Sequence, residues 1–98
     1  MLLKVGTNFE PHEKLLPVLR GVELVFKQHQ TLMIITSMKD REHSPGSKHY
    51  VGKAFDLRIK HVTNKTKLSK LFTDIEDAIF QHGAVIIQEP THWHIQVN

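Results

Sequence analysis

The chain has no cysteine, one tryptophan, one tyrosine and few glycines or prolines (five and four) among its 98 residues. Without cysteine there is no disulfide framework and no thiolate nucleophile. No apolar run approaches the 18 or more residues a membrane helix needs, so no membrane span is expected. There is no internal repeat and no low-complexity tract. Charge of one sign is also lacking: 13 Lys and Arg against 10 Asp and Glu give a net charge of +3. That mild basic excess, without an arginine-rich or aromatic platform, argues against a nucleic-acid partner. Met1-Leu2-Leu3-Lys4-Val5 turns polar too soon for a secretory signal, which predicts synthesis in the cytosol.

What remains is an ordinary globular composition, 40% hydrophobic and 23% charged, in a chain long enough for one domain. A chain of this size buries roughly 60–65% of the surface its unfolded form exposes, so a bound metal could add useful stability. The unusual feature is eight histidines. Imidazole is the side chain that titrates near neutrality and the commonest metal ligand, so metal chemistry is the first hypothesis to test.

Periodicity supplies the elements. Leu15, Leu16, Leu19, Val22 and Phe26 form an apolar stripe that predicts a helix within 11–30, its regular part starting near Pro17. Leu32 to Thr36 is short and branched, as in a buried strand. Residues 37–50 carry loop chemistry. From Ala54 to Lys60 the pattern alternates, with Phe55, Leu57 and Ile59 on one face and Ala54, Asp56 and Arg58 on the other. Thr66 to His82 reads as the strongest helix, with Leu68, Leu71, Phe72, Ile75, Ala78 and Ile79 inward and Gly83 as its left-handed cap. Ala84–Gln88 and His92–Val97 read as strands around a turn at 89–91. The order predicts a small α+β domain spanning 1–98, a central antiparallel sheet packed against two helices.

Two positions carry chemistry. In the last strand the period of two sends Trp93, Ile95 and Val97 to the core and His92, His94 and Gln96 to the opposite face. Two imidazoles at i and i+2 are neighbours there and could share an ion or a water, or could be a plain surface pair. Asp56 sits in an apolar strand, where a carboxylate must be paired or metal-bound to offset its desolvation. Taken alone, a salt bridge to a lysine or arginine would serve. The solvated ends and loops suit His12, His29, His61 and His82, and His82 also suits a helix C-terminus.

The stretch Ser47-Lys48-His49-Tyr50-Val51-Gly52-Lys53-Ala54-Phe55-Asp56 fills every fixed position of S-x-H-x-x-G-x-A-x-D. Followed by His-x-His near the end of the chain, it resembles the D-alanyl-D-alanine metallopeptidases, which share a zinc site with lysostaphin-type endopeptidases and the hedgehog domain. The resemblance covers about Thr36 to Val97. It implies a hedgehog/peptidase-like fold and one zinc ion held by His49, Asp56 and a histidine of His92-Trp93-His94. One register, Glu89-Pro90-Thr91-His92, would make His92 the ligand. The other, which matches most short members, makes it His94 and leaves His92 to assist catalysis, and we adopt it.

Two imidazoles and one carboxylate would then leave an open fourth position for water. Glu89 would be the general base and His92 the oxyanion partner. Relatives carry an arginine after the strand that corresponds to Leu32–Thr36. Here Asp40 stands near that place, which leaves Arg41, then Lys39, as substrate-positioning cations, with Ser47 beside them. The implied activity is a zinc metallopeptidase acting as a monomer on bacterial cell-wall peptides, of the D-Ala-D-Ala carboxypeptidase or L-alanyl-D-glutamate endopeptidase type. Absence of a leader would suit a phage or prophage lysin. The displaced arginine favours a second reading, a metal-stabilised binding module of the same fold that no longer hydrolyses.

Overall fold

A computed structural model describes residues 1–38 and 51–98. In chain order the elements are β1 (Leu2–Leu3), a 3-10 turn (Glu13–Leu15), α1 (Leu16–Gln28), β2 (Ile34–Ser37), β3 (Ala54–Arg58), α2 (Lys65–Phe80), β4 (Ala84–Gln88) and β5 (His92–Val97). The five strands form one sheet in the order β1-β2-β3-β5-β4. From β2 to β4 the pairing is antiparallel, but β1 joins β2 in parallel. The sheet is therefore mixed rather than wholly antiparallel. A two-residue strand has no periodicity to betray its pairing; Leu2 and Lys4 simply donate to the free edge carbonyls of Met33 and Ile35 at 2.8 Å.

Both helices pack on one face. Leu15, Val18, Leu19, Val22, Val25 and Phe26 from the first helical segment join Leu71, Ile75 and Ile79 of α2 and Phe55, Leu57, Trp93 and Ile95 of the sheet in a single core. Pro17 falls in the first turn of α1, where no backbone donor is needed. Leu16, expected in the stripe, is 44% exposed, and Val18 and Val25 take its share. The inward face follows 15, 18/19, 22 and 25/26, a helical spacing that skips position 16. Asn64 caps α2 by accepting from the Lys67 amide at 3.0 Å. Gly83 ends that helix at φ 71°, as its left-handed cap position demands. Phe72 meets Trp93 edge to face, with ring centroids 5.3 Å apart.

Among the described residues no helix is long and apolar enough to cross a membrane.

Candidate functional site

With the helices on one face, strand alternation leaves the other to the even-numbered residues of β3 and β5. Their antiparallel register sets Ala54 opposite Gln96, Asp56 opposite His94 and Arg58 opposite His92. Two features hold β3 in place upstream. Gly52 adopts φ 71°, and a Cβ there would fall on the Glu10 carbonyl and crowd the His12 amide, which donates to the Gly52 carbonyl at 2.9 Å. Only glycine satisfies both the dihedral and the backbone contact. Next to β3, Thr36 is an extra residue in β2 between the pairs Ile35–Leu57 and Ser37–Asp56, a bulge of the kind common beside functional sites.

At the centre, Asp56 is 9% exposed. Its Oδ1 lies 3.1 Å from His94 Nδ1, and its Oδ2 lies 3.8 Å from His92 Nε2. His94 Nε2 is 2.8 Å from Gln96 Oε1, so both ring nitrogens face acceptors. The hydrogen bond with Asp56 is the main reason the His94 pKa is raised; burial opposes it, and the Gln96 carbonyl and the Asp56 and Glu89 charges reinforce it. His92 is oriented from its other side by Thr91, whose Oγ1 is 3.0 Å from Nδ1.

Glu89 enters from the β4–β5 turn. Pro90 and Thr91 form the two-residue loop, and the Glu89 amide donates to the His92 carbonyl at 3.0 Å. Trp93 anchors this turn from the core side by donating to Gln88 Oε1 at 2.7 Å. Gln88 and Trp93 share a register position, and alternation from Gln88 turns Glu89 to the face of His92 and His94.

The structure thus sets His94 and His92 at 3.1 and 3.8 Å from the Asp56 carboxylate, with Glu89 on the same face at the adjoining turn. His49, Arg41, Lys39 and Ser47, the remaining expected site residues, lie outside the described residues. Among the described residues no group of three His, Cys, Asp or Glu side chains could hold a metal ion. The pair that is described does suit a zinc ion. Donors bound at 2.0–2.2 Å in a tetrahedron stand about 3.3–3.6 Å apart, against the 3.1 Å between Asp56 Oδ1 and His94 Nδ1. A neutral imidazole and a carboxylate are also ligand types zinc prefers.

Among the other histidines, His29 and His61 are not merely solvated. His29 Nε2 meets Asp74 Oδ2 at 2.7 Å, tying the end of α1 to α2, and His61 Nε2 meets the Leu32 carbonyl at 2.7 Å. His12 Nδ1 caps the 3-10 turn by accepting from the Lys14 amide. Gln96 and Arg58, which flank the central pair on the same face, went unassigned in the sequence; their positions two residues from His94 and Asp56 were the signal for them. Comparison of the chain with protein-family models, curated proteins and solved structures finds no match.

Proposed function

We propose that this domain is a zinc-dependent peptidase that hydrolyses an amide bond in peptidoglycan stem peptides or cross-bridges. The observation that carries the reading is the facing of Asp56 and His94 across two paired strands, 3.1 Å apart, with His92 and Glu89 beside them. The pair lies on the face opposite the apolar core, so its apposition is not a by-product of core packing. The likeness of the 47–56 stretch to the D-alanyl-D-alanine metallopeptidases supports the same reading.

Asp56 and His94 would hold the ion, with His49 from the motif as third donor. An ion held there would supply an acidified water and a Lewis acid for the scissile carbonyl. The chain's own groups do the rest. Glu89, on the turn beside the pair, takes the attacking water's proton and returns it to the leaving amine. His92 Nε2, turned toward the site by Thr91 at its Nδ1, donates to the oxygen that becomes negative as the carbonyl is attacked. Gln96 fixes the His94 ring from behind, as second partners of metal-binding histidines do.

The test is release of amines from peptidoglycan by purified protein, with and without chelator, beside elemental analysis. Glu89→Gln is expected to keep the metal and lose turnover by at least about 100-fold. His49→Ala is expected to lose the metal. A protein that carries no metal, or whose turnover ignores the chelator, overturns the reading. Metal retention with no turnover on any wall type would instead favour the binding module.

A further inference from the structure

The sheet has two outer edges, and only one is blunted. β1 closes one side with two residues and is followed by Lys4. β4 closes the other with Ala84-Val85-Ile86-Ile87-Gln88, which has no charge, proline, glycine or bulge, and among the described residues no strand pairs with its outer side. Such an edge presents main-chain donors and acceptors that another strand matches. The neighbouring ladders show which residues present them. The Glu89 amide donates to the His92 carbonyl, and the Val97 amide turns away to the Lys53 carbonyl. By alternation Val85 and Ile87 bond to β5, while Ala84, Ile86 and Gln88 aim their main-chain groups outward.

Side chains complete this edge. Val85 and Ile87 are 51% and 40% exposed, on the face of their register partners Gln96 and His94. Phe80, the last residue of α2, is 80% exposed. The turn at 81–83 reverses the chain, so α2 runs back along β4. With a rise of about 1.5 Å per helical residue against about 3.3 Å per strand residue, Phe80 is level with Ala84, and Ser69 and Thr73 are level with Gln88. Those two residues and Gln88 line a cavity of about 350 Å³ over the apolar Leu68, Phe72 and Trp93, with Lys65 beside them. Thr73 and Phe80 lie two helical turns apart and so share a flank of α2. The edge therefore carries a bare strand, an exposed ring at one end and an apolar socket at the other.

We infer that β4 pairs with β4 of a second copy of this chain, antiparallel about a two-fold axis through Ile86, with Phe80 of each copy seated in the socket of the other. That centre lets every outward main-chain group meet a partner: Ile86 pairs with Ile86, and Ala84 with Gln88 at both ends. Val85 then faces Ile87 in the closely spaced pairs between, an aliphatic stripe on the face of the candidate centre. The same rotation carries Phe80, at the Ala84 end, to the socket at the Gln88 end. A two-fold contact needs a self-complementary surface, and a knob and a socket one strand length apart supply it. No charge in β4 opposes the contact, whereas Glu76, level with Ile86 on α2, meets its own copy near the axis and limits the affinity. The seam buries roughly 1,000 Å² over both copies, at the lower end of specific interfaces, so the dimer is concentration-dependent, with Kd in the micromolar range, and dilution returns the monomer. Both candidate centres then open on one side of a continuous sheet, their β5 strands roughly 14 Å apart across the seam. Nothing in this contact depends on the reaction at those centres.

Sedimentation velocity of the full chain from micromolar to millimolar concentration tests it. The mass is expected to rise from 11.3 kDa toward twice that value. Phe80→Ala and Val85→Lys, both at exposed positions that folding tolerates, are each expected to weaken self-association at least about tenfold. Mixing Val85→Lys with Ile87→Glu sets a lysine opposite a glutamate across the seam and is expected to restore a mixed dimer stronger than either variant forms alone. In the unaltered chain, dilution is expected to shift the amide resonances of 84–88, Thr73 and Phe80 and to leave Leu2 and Leu3 still. A chain that stays at 11.3 kDa throughout overturns the inference, even if some other extended peptide binds the edge. A dimer indifferent to both single substitutions uses another surface and overturns it equally, as do dilution shifts confined to β1. Failure of the mixture to recover overturns the axis at Ile86.

Discussion

The two faces of β3 and β5 are made from the same eleven residues yet obey different rules. On the helix side, Phe55, Leu57, Trp93 and Ile95 are 1% exposed or less and gain stability from apolar burial, which needs no particular partner. On the other side Asp56, Arg58, His92 and His94 are partly or largely buried polar groups, and each is tolerable only with a defined neighbour. Asp56 has the His94 ring; Arg58 Nε has none. The core face explains why the sheet forms. The polar face adds nothing to apolar burial, since a carboxylate between Phe55 and Leu57 contributes no such area.

Substitutions on either side should separate the two roles. Leu57→Ala is expected to have the largest effect on stability, about 2–5 kcal/mol in denaturant unfolding, while leaving any metal affinity of the folded fraction intact. Next comes Gly52→Ala, at about 1–3 kcal/mol, since its Cβ meets the Glu10 carbonyl at a left-handed dihedral. An unchanged melting temperature there would mean that the contact between 10–12 and 52 is dispensable. Asp56→Asn should cost about 1–3 kcal/mol in the metal-free protein but remove zinc binding altogether, a split that Leu57→Ala does not show. If Asp56→Asn were as damaging as Leu57→Ala and left metal content unchanged, the polar face would be structural.

Asn64→Ala, which removes the cap of α2 far from either face of the site, should cost about 1 kcal/mol. The smallest effect is on pH. In metal-free protein His94 should titrate above the usual histidine value near 6.5, and Asp56→Asn should bring it down. Because the folded pKa is raised, the stability due to the pair is fully present below pH 6.5. It fades as pH rises through the folded value. Zinc competes with that proton, so binding should release protons and weaken in acid. NMR titration of the histidine ring protons reads both effects.

Much of this was legible in the residue pattern. Alternation alone assigned both faces of β3 and β5, helical spacing found α2 with its Gly83 stop, and a proline and two polar residues marked the last turn. The failures in the sheet share one cause, which is that pairing between distant segments leaves no local trace. Nothing at Leu2–Leu3 announces a parallel partner 32 residues away. Leu16 misled because a run of leucines fits two neighbouring stripes, and only the packed helix decides between them. At the site, alternation placed Asp56 and His94 on one face each, while their direct opposition came from the register that the two-residue turn and the core together impose.

One consequence of the strand order concerns timing. β5 is the last of the described strands in chain order, yet it lies inside the sheet, between β3 and β4. Until it emerges, the nascent chain has two unpaired inner edges and lacks Trp93 and Ile95 from its core. It also lacks His92 and His94, which face Asp56. Closure of the sheet around β5 and the meeting of Asp56 with His92 and His94 are therefore one event.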